Sequence, residues 1–110
     1  MVEVTVPLDR VFHALADPSR RAMLAALETG EHSIGELAAP LDMSFAGASK
    51  HVQVLEKAGL VARTVRGRTH AIRLEPEPLR RASEWLRRYE KFWSGRLDAL
   101  EAALREEDET

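Results

Sequence analysis

Lys50, Lys57, Arg63, Arg66, Arg68 and Arg73 stand within residues 43–73 against one acid, Glu56, a net of +5 in a chain whose total is −2. The remainder therefore carries −7, with Glu106, Glu107, Asp108 and Glu109 clustered at the end. A basic segment inside an acidic chain is either the footprint of a phosphate-binding surface or a solvated charged face. The residues interleaved with the cations favour the first reading. Ser44, Phe45, Ala46, Gly47, Ser49, Lys50, His51 and Gln53 are mostly small or polar. Small side chains allow close approach to base edges, Ser and Gln can hydrogen-bond them, and Phe45 or Ala46 can touch a thymine methyl. Ser44 and the neighbouring N–H groups, at the positive end of a helix dipole, suit a phosphate. His51 suits a phosphate or a packing role. Lys50, Arg63, Arg66 and Arg68 would supply affinity by releasing counterions. Arg66 and Arg68 would clamp the backbone or enter a minor groove.

Such residues need rigid elements to aim them. Leu8, Val11, Phe12 and Leu15 have the i, i+3, i+4, i+7 spacing of a helix face, which predicts a first helix over 8–16. Asp17-Pro18 is an N-cap followed by proline at the first helical position, so a second helix is expected over 18–29, stopped by Gly30. In that helix Met23, Leu24 and Leu27 should point inward. Ser33 with Glu36 three residues later is a capping-box spacing and predicts a short third helix limited by Pro40. Leu41-Asp42-Met43 forms the turn, Ser44 caps a fourth helix over 45–58, and Gly59 ends it. Ala48, Val52 and Leu55 should face the core. Residues 60–64 and 69–74 read as two strands, with Arg66-Gly67-Arg68 as a tight hairpin tip.

From Glu77 the helical period returns. Leu79, Ala82, Leu86, Tyr89, Trp93, Leu97, Leu100 and Leu104 are spaced by three or four, and Trp85, Phe92 and Ala99 repeat every seven. This predicts one long helix over 77–105, bent if anywhere at Gly95. A helix with two apolar stripes packs on two surfaces, its own domain and a second chain. Trp85, Tyr89, Phe92 and Trp93 could alternatively line a pocket for a hydrophobic ligand. The Arg and Lys residues between them read as a solvated face.

Two short helices joined by a tight turn, followed by a hairpin with a basic tip, form a winged helix-turn-helix arrangement whose second helix enters the major groove. The run at 43–61, MSFAGASKHVQVLEKAGLV, resembles the recognition-helix stretch of the ArsR/SmtB family of bacterial repressors. Residues 16–21, ADPSRR, resemble that family's second-helix entry, and Arg66-Gly67-Arg68 resembles its wing. The resemblance spans nearly the whole chain in order. It implies a mainly α fold with a small β-hairpin wing (ααααββα), a single domain over 1–110, and a homodimer on a near-palindromic double-stranded DNA operator. The first and last helices would form the interface, through Leu8, Val11, Phe12, Leu15, Trp85, Leu86, Tyr89, Phe92, Trp93, Leu97 and Leu100. The expected role is repression of the chain's own or a neighbouring operon. A winged-helix module that binds protein instead of DNA is the alternative, and so is a repressor gated by a hydrophobic ligand at the aromatic helix. The effector is unknown.

The departures from the family pattern bear on metals. Metal-sensing members carry cysteines in the helix before the recognition helix, where this chain has Ser33 and Gly35. Others bind zinc through His and acids of the last helices, and no His follows Pro78. His13, His32, His51 and His70 are scattered one per element, and there are no cysteines. No metal and no cofactor are expected. The chain resembles the metal-free branch with a Trp/Phe-rich last helix. No phosphate loop, Ser/His/Asp motif or apolar carboxylate pair is present, so an enzyme is not expected. Neither a signal peptide nor a membrane span is evident, and a cytoplasmic location is expected.

Overall fold

A computed structural model describes residues 6–108. Helix α1 (Leu8–Leu15) leads into α2 (Pro18–Leu27), strand β1 (His32–Ser33) and α3 (Ile34–Ala38). A 3₁₀ turn (Ala39–Leu41) and α4 (Phe45–Lys57) follow, then β2 (Val61–Arg66), β3 (Thr69–Leu74), α5 (Glu77–Arg87) and α6 (Glu90–Asp108). The architecture is a winged helix-turn-helix.

The caps lie where the sequence places them. Asp17 accepts from the Arg20 N–H at 3.0 Å with Pro18 behind it. Ser33 and Glu36 close a reciprocal box, with both bonds at 3.1 Å. Ser44 accepts from the Gly47 N–H at 3.0 Å. Each cap satisfies a donor that the first helical turn leaves open. Between α3 and α4, Asp42 adopts the left-handed conformation (φ 50°) and turns the chain. After α4, Gly59 (φ +73°) lets the Leu60 N–H return to the Leu55 carbonyl at 3.0 Å. A side chain at Gly59 would be strained, and its Cβ would lie 3.4 Å from Val6 and 3.5 Å from Pro78.

The core lies where α1 to α4 meet the sheet. Val11, Met23, Val52, Leu55, Leu60 and Ile72 are fully buried, and Leu24, Leu27, Leu37 and Ala48 join them. Burying each large side chain contributes about 1.5–3 kcal/mol. Val52 and Leu55 thus fix the rotation of α4 and decide which residues it shows outward.

Four expectations change. The sheet has three antiparallel strands in the order β1-β3-β2, since His32 and Ser33 pair with Ile72 and Ala71. The helix expected over 77–105 is two helices. The Arg88 and Tyr89 N–H groups bond back only three residues, to Trp85 and Leu86, which breaks the axis there, and Gly95 lies inside α6. The chain also stays helical beyond Arg105, to Asp108, with a Glu101–Arg105 pair at i, i+4 in that last stretch. Finally, Val11 is wholly buried in its own domain rather than available to a partner, because α1 turns this residue toward the core.

Candidate nucleic-acid interface

The α4 surface follows from its burial. With Ala48, Val52 and Leu55 turned inward, Ser44, Phe45, Ala46, Lys50 and Gln53 are exposed, and Gly47, Ser49 and His51 are half-buried. At 100° per residue, Ala46, Lys50, Gln53 and Lys57 fall on one stripe of the helix. That stripe carries one alanine methyl, one amide and two ammonium groups, and it is free of carboxylates. It can approach a base edge and a phosphate without like-charge repulsion.

Polar contacts hold α4 from behind. The Arg20 guanidinium donates from Nε to the Ala14 carbonyl at 2.8 Å and from Nη2 to the His13 carbonyl at 2.9 Å. Its Nη1 lies 3.3 Å from His51 Nδ1, and Asp17 Oδ2 lies 3.9 Å from the same nitrogen. Arg21 donates to the Leu15 carbonyl at 2.7 Å. These two arginines stitch α1, α2 and α4 together. His51 is thereby engaged inside the fold, with its ring one quarter exposed. The Arg20 N–H bonded to the Asp17 carboxylate is the main cause holding that acid below its ordinary value.

The wing is joined to α4 by Arg63. This side chain donates to Glu56 Oε1 at 2.5 Å and Oε2 at 3.3 Å, and its Nη1 lies 3.0 Å from His70 Nδ1. Bidentate geometry of this kind is specific as well as strong. Arg63 is therefore a strut between α4 and the hairpin, not a free cation at the surface. The other wing arginines differ. Gly67 (φ +63°) opens the two-residue loop between the paired Arg66 and Thr69, as primed hairpin turns require. This sets Arg66 and Arg68 at the tip, both exposed. Arg66 has only a loose 3.7 Å contact with Glu31, and Arg68 has no ion pair or hydrogen bond among the described residues.

Sequence reasoning missed Glu56 and His70 as the holders of Arg63, because seven residues of helix end and strand separate each pair. Arg20, within the run that resembles the family's second-helix entry, is held inside the fold by the His13 and Ala14 carbonyls and His51. No group of three or more metal-binding side chains occurs among the described residues, and no described helix is long and apolar enough to cross a membrane.

A second surface is apolar. Phe12 meets Trp85 edge-on at 5.6 Å, Trp85 meets Tyr89 at 5.2 Å, and Tyr89 meets Phe92 at 6.3 Å. At the end of this ladder Phe92 is 68% exposed, and beyond it Leu97, Leu100 and Leu104 are all more than half exposed. Leu8, Phe12 and Leu15 are partly buried at the neighbouring face of α1. Leu86 and Trp93 are exposed as well, whereas Val11 is buried.

An exposed helix framed by a basic hairpin tip defines a winged helix-turn-helix DNA-binding protein. Comparison with known proteins narrows the class. Residues 15–64 match the helix-turn-helix domain family. The chain is 36% identical over 86 residues to the HTH-type transcriptional regulator Rv2034 of Mycobacterium tuberculosis, covering 78% of each. It is 27% identical over 79 residues to the transcriptional repressor SdpR of Bacillus subtilis, covering 72% of this chain and 88% of that one. Among solved structures, the ArsR family transcriptional regulator RHA00566 is 37% identical with a TM-score of 0.73, over 79% of this chain and 96% of that one. The homodimeric winged helix-turn-helix DNA-binding domain Mb0332 of Mycobacterium bovis is 25% identical with a TM-score of 0.62, over 80% and 82%. The chain belongs to the ArsR family of transcriptional regulators and is a DNA-binding protein.

Proposed function

We propose that the protein is a homodimeric repressor that binds a near-palindromic operator in front of its own or a neighbouring operon. The observation that carries this reading is the pairing of an acid-free α4 stripe with the exposed cations Arg66 and Arg68, of which Arg66 has a loose 3.7 Å contact with Glu31. Ser44, Phe45, Ala46, Ser49, Lys50 and Gln53 read one half-site, and the wing tip holds the flanking backbone. His51 and Arg63 position these elements.

Dimerisation is supported by the exposed ladder of α5 and α6, which its own protomer leaves uncovered. A contiguous apolar face of this kind marks an interaction site. The homodimeric description of Mb0332 agrees with it, and the name of SdpR supports repression. Two recognition helices on one DNA face would lie about 34 Å apart. The sequence has no cysteine, so thiolate metal sensing plays no part.

Hydroxyl-radical footprinting on the DNA upstream of the gene tests the reading. Two protected blocks about one helical turn apart, on one face, are expected. A single block or uniform weak protection contradicts a dimer on a palindrome.

A further inference from the structure

Outside the last two helices and their link, the exposed large apolar side chains among the described residues are Phe45 and Val65. Phe45 is the first residue of α4, and the residue is 63% exposed. The core does not use it, and the rings of the α5–α6 ladder do not touch it. Ser33, Arg68, Thr69 and His70 are its polar neighbours, and Ile34 is an apolar one. The ring borders a cleft of about 230 Å³ whose other walls are Arg68, Thr69 and His70 of the wing and the first turn of α3. One wall is therefore an aromatic face. The facing wall offers a guanidinium and a hydroxyl with no hydrogen bond or ion pair among the described residues, beside a histidine that Arg63 holds at 3.0 Å.

A matching ligand carries an anion and, a few ångströms away, a small apolar group. The cleft lies between the recognition helix and the wing. With those two elements in adjacent grooves, the strand between the grooves must pass there. Only thymine presents a methyl in the major groove. We propose that this cleft is a single-nucleotide site for thymidine. The Phe45 ring covers the 5-methyl, and Arg68 with the Thr69 hydroxyl takes the phosphate. The inference rests on the DNA-binding reading above and adds the base and the strand feature that are recognised.

Deoxyuridine removes the methyl while keeping base pairing and phosphate. The footprinted duplex, resynthesised with deoxyuridine at one thymidine position at a time, is titrated by fluorescence anisotropy against wild type, Phe45→Ala and Phe45→Leu. Because Phe45 is exposed, both variants should keep the wild-type circular dichroism. One position per half-site should cost wild type about fourfold, which is about 0.8 kcal/mol for one methyl. Phe45→Ala should lose that sensitivity, and Phe45→Leu should keep part of it. A methylphosphonate beside that position should weaken wild type and leave Arg68→Ala unaffected. Wild-type affinity indifferent to every deoxyuridine, or a cost that persists in Phe45→Ala, overturns the proposal. An unmodified duplex bound no better than a scrambled one overturns the DNA-binding reading itself.

Discussion

Nη1 of Arg20 lies 3.3 Å from Nδ1 of His51, joining the second helix to the middle of the recognition helix. The same guanidinium bonds two carbonyls at the end of α1, so one side chain holds three helices in register.

Arg20→Ala should therefore loosen the platform rather than remove a DNA contact. It removes this donor from the His13 and Ala14 carbonyls, a loss of about 1 kcal/mol, since water can replace it in part. Urea denaturation should show a lower midpoint. Arg20→Lys should not restore it, because an ammonium cannot span the same three partners. An unchanged midpoint for Arg20→Ala would show that the three contacts contribute nothing in solution.

The wing arginines should separate by role. Arg66→Ala with Arg68→Ala should flatten the plot of log affinity against log salt by about three to four units, as two phosphate contacts are lost from each wing of the dimer. Arg63→Ala should keep the slope and lower the melting temperature, since its partners are Glu56 and His70. An Arg63→Ala slope change as large as that of the tip mutant would return Arg63 to the DNA surface.

The apolar ladder predicts assembly. Leu97→Asp or Phe92→Asp places a carboxylate on a face that a partner would cover, so sedimentation should shift from dimer to monomer. Operator affinity should fall at least tenfold, because the two half-sites are then bound independently. A monomeric wild type would remove the basis of the palindrome.

Acid should act through the caps. Asp17 and Glu36 are held below their ordinary values, chiefly by the backbone N–H groups of Arg20 and Ser33 respectively. A depressed carboxyl stabilises the fold fully above its unfolded value near pH 4 and loses that contribution as pH falls through the folded value. Thermal melts from pH 6 to pH 3 should show stability falling below about pH 4. Asp17→Asn, which still caps but does not ionise, should have a shallower acid limb. Parallel acid limbs would mean that this carboxylate takes no part.

Much of this was legible from sequence because it is local. Asp17, Ser33 with Glu36, and Ser44 each announce a helix start within three residues, and Val52 and Leu55 announce which side of α4 is buried. The non-local features were not legible. A two-residue strand such as His32–Ser33 has no period, and its partner is some forty residues away. The break at Arg88–Tyr89 lies inside an unbroken apolar spacing, with no glycine or proline to mark it. Arg63 looked like its neighbours Arg66 and Arg68 by charge, and only the register of β2 against α4 set it on Glu56.

The most direct test of the account is an anisotropy titration of wild type and Lys50→Ala with the upstream duplex and a scrambled duplex, at several salt concentrations. Wild type should prefer the upstream duplex, with affinity falling as salt rises, and Lys50→Ala should weaken that binding. Equal, weak binding of both duplexes by wild type would contradict a sequence-specific DNA-binding protein.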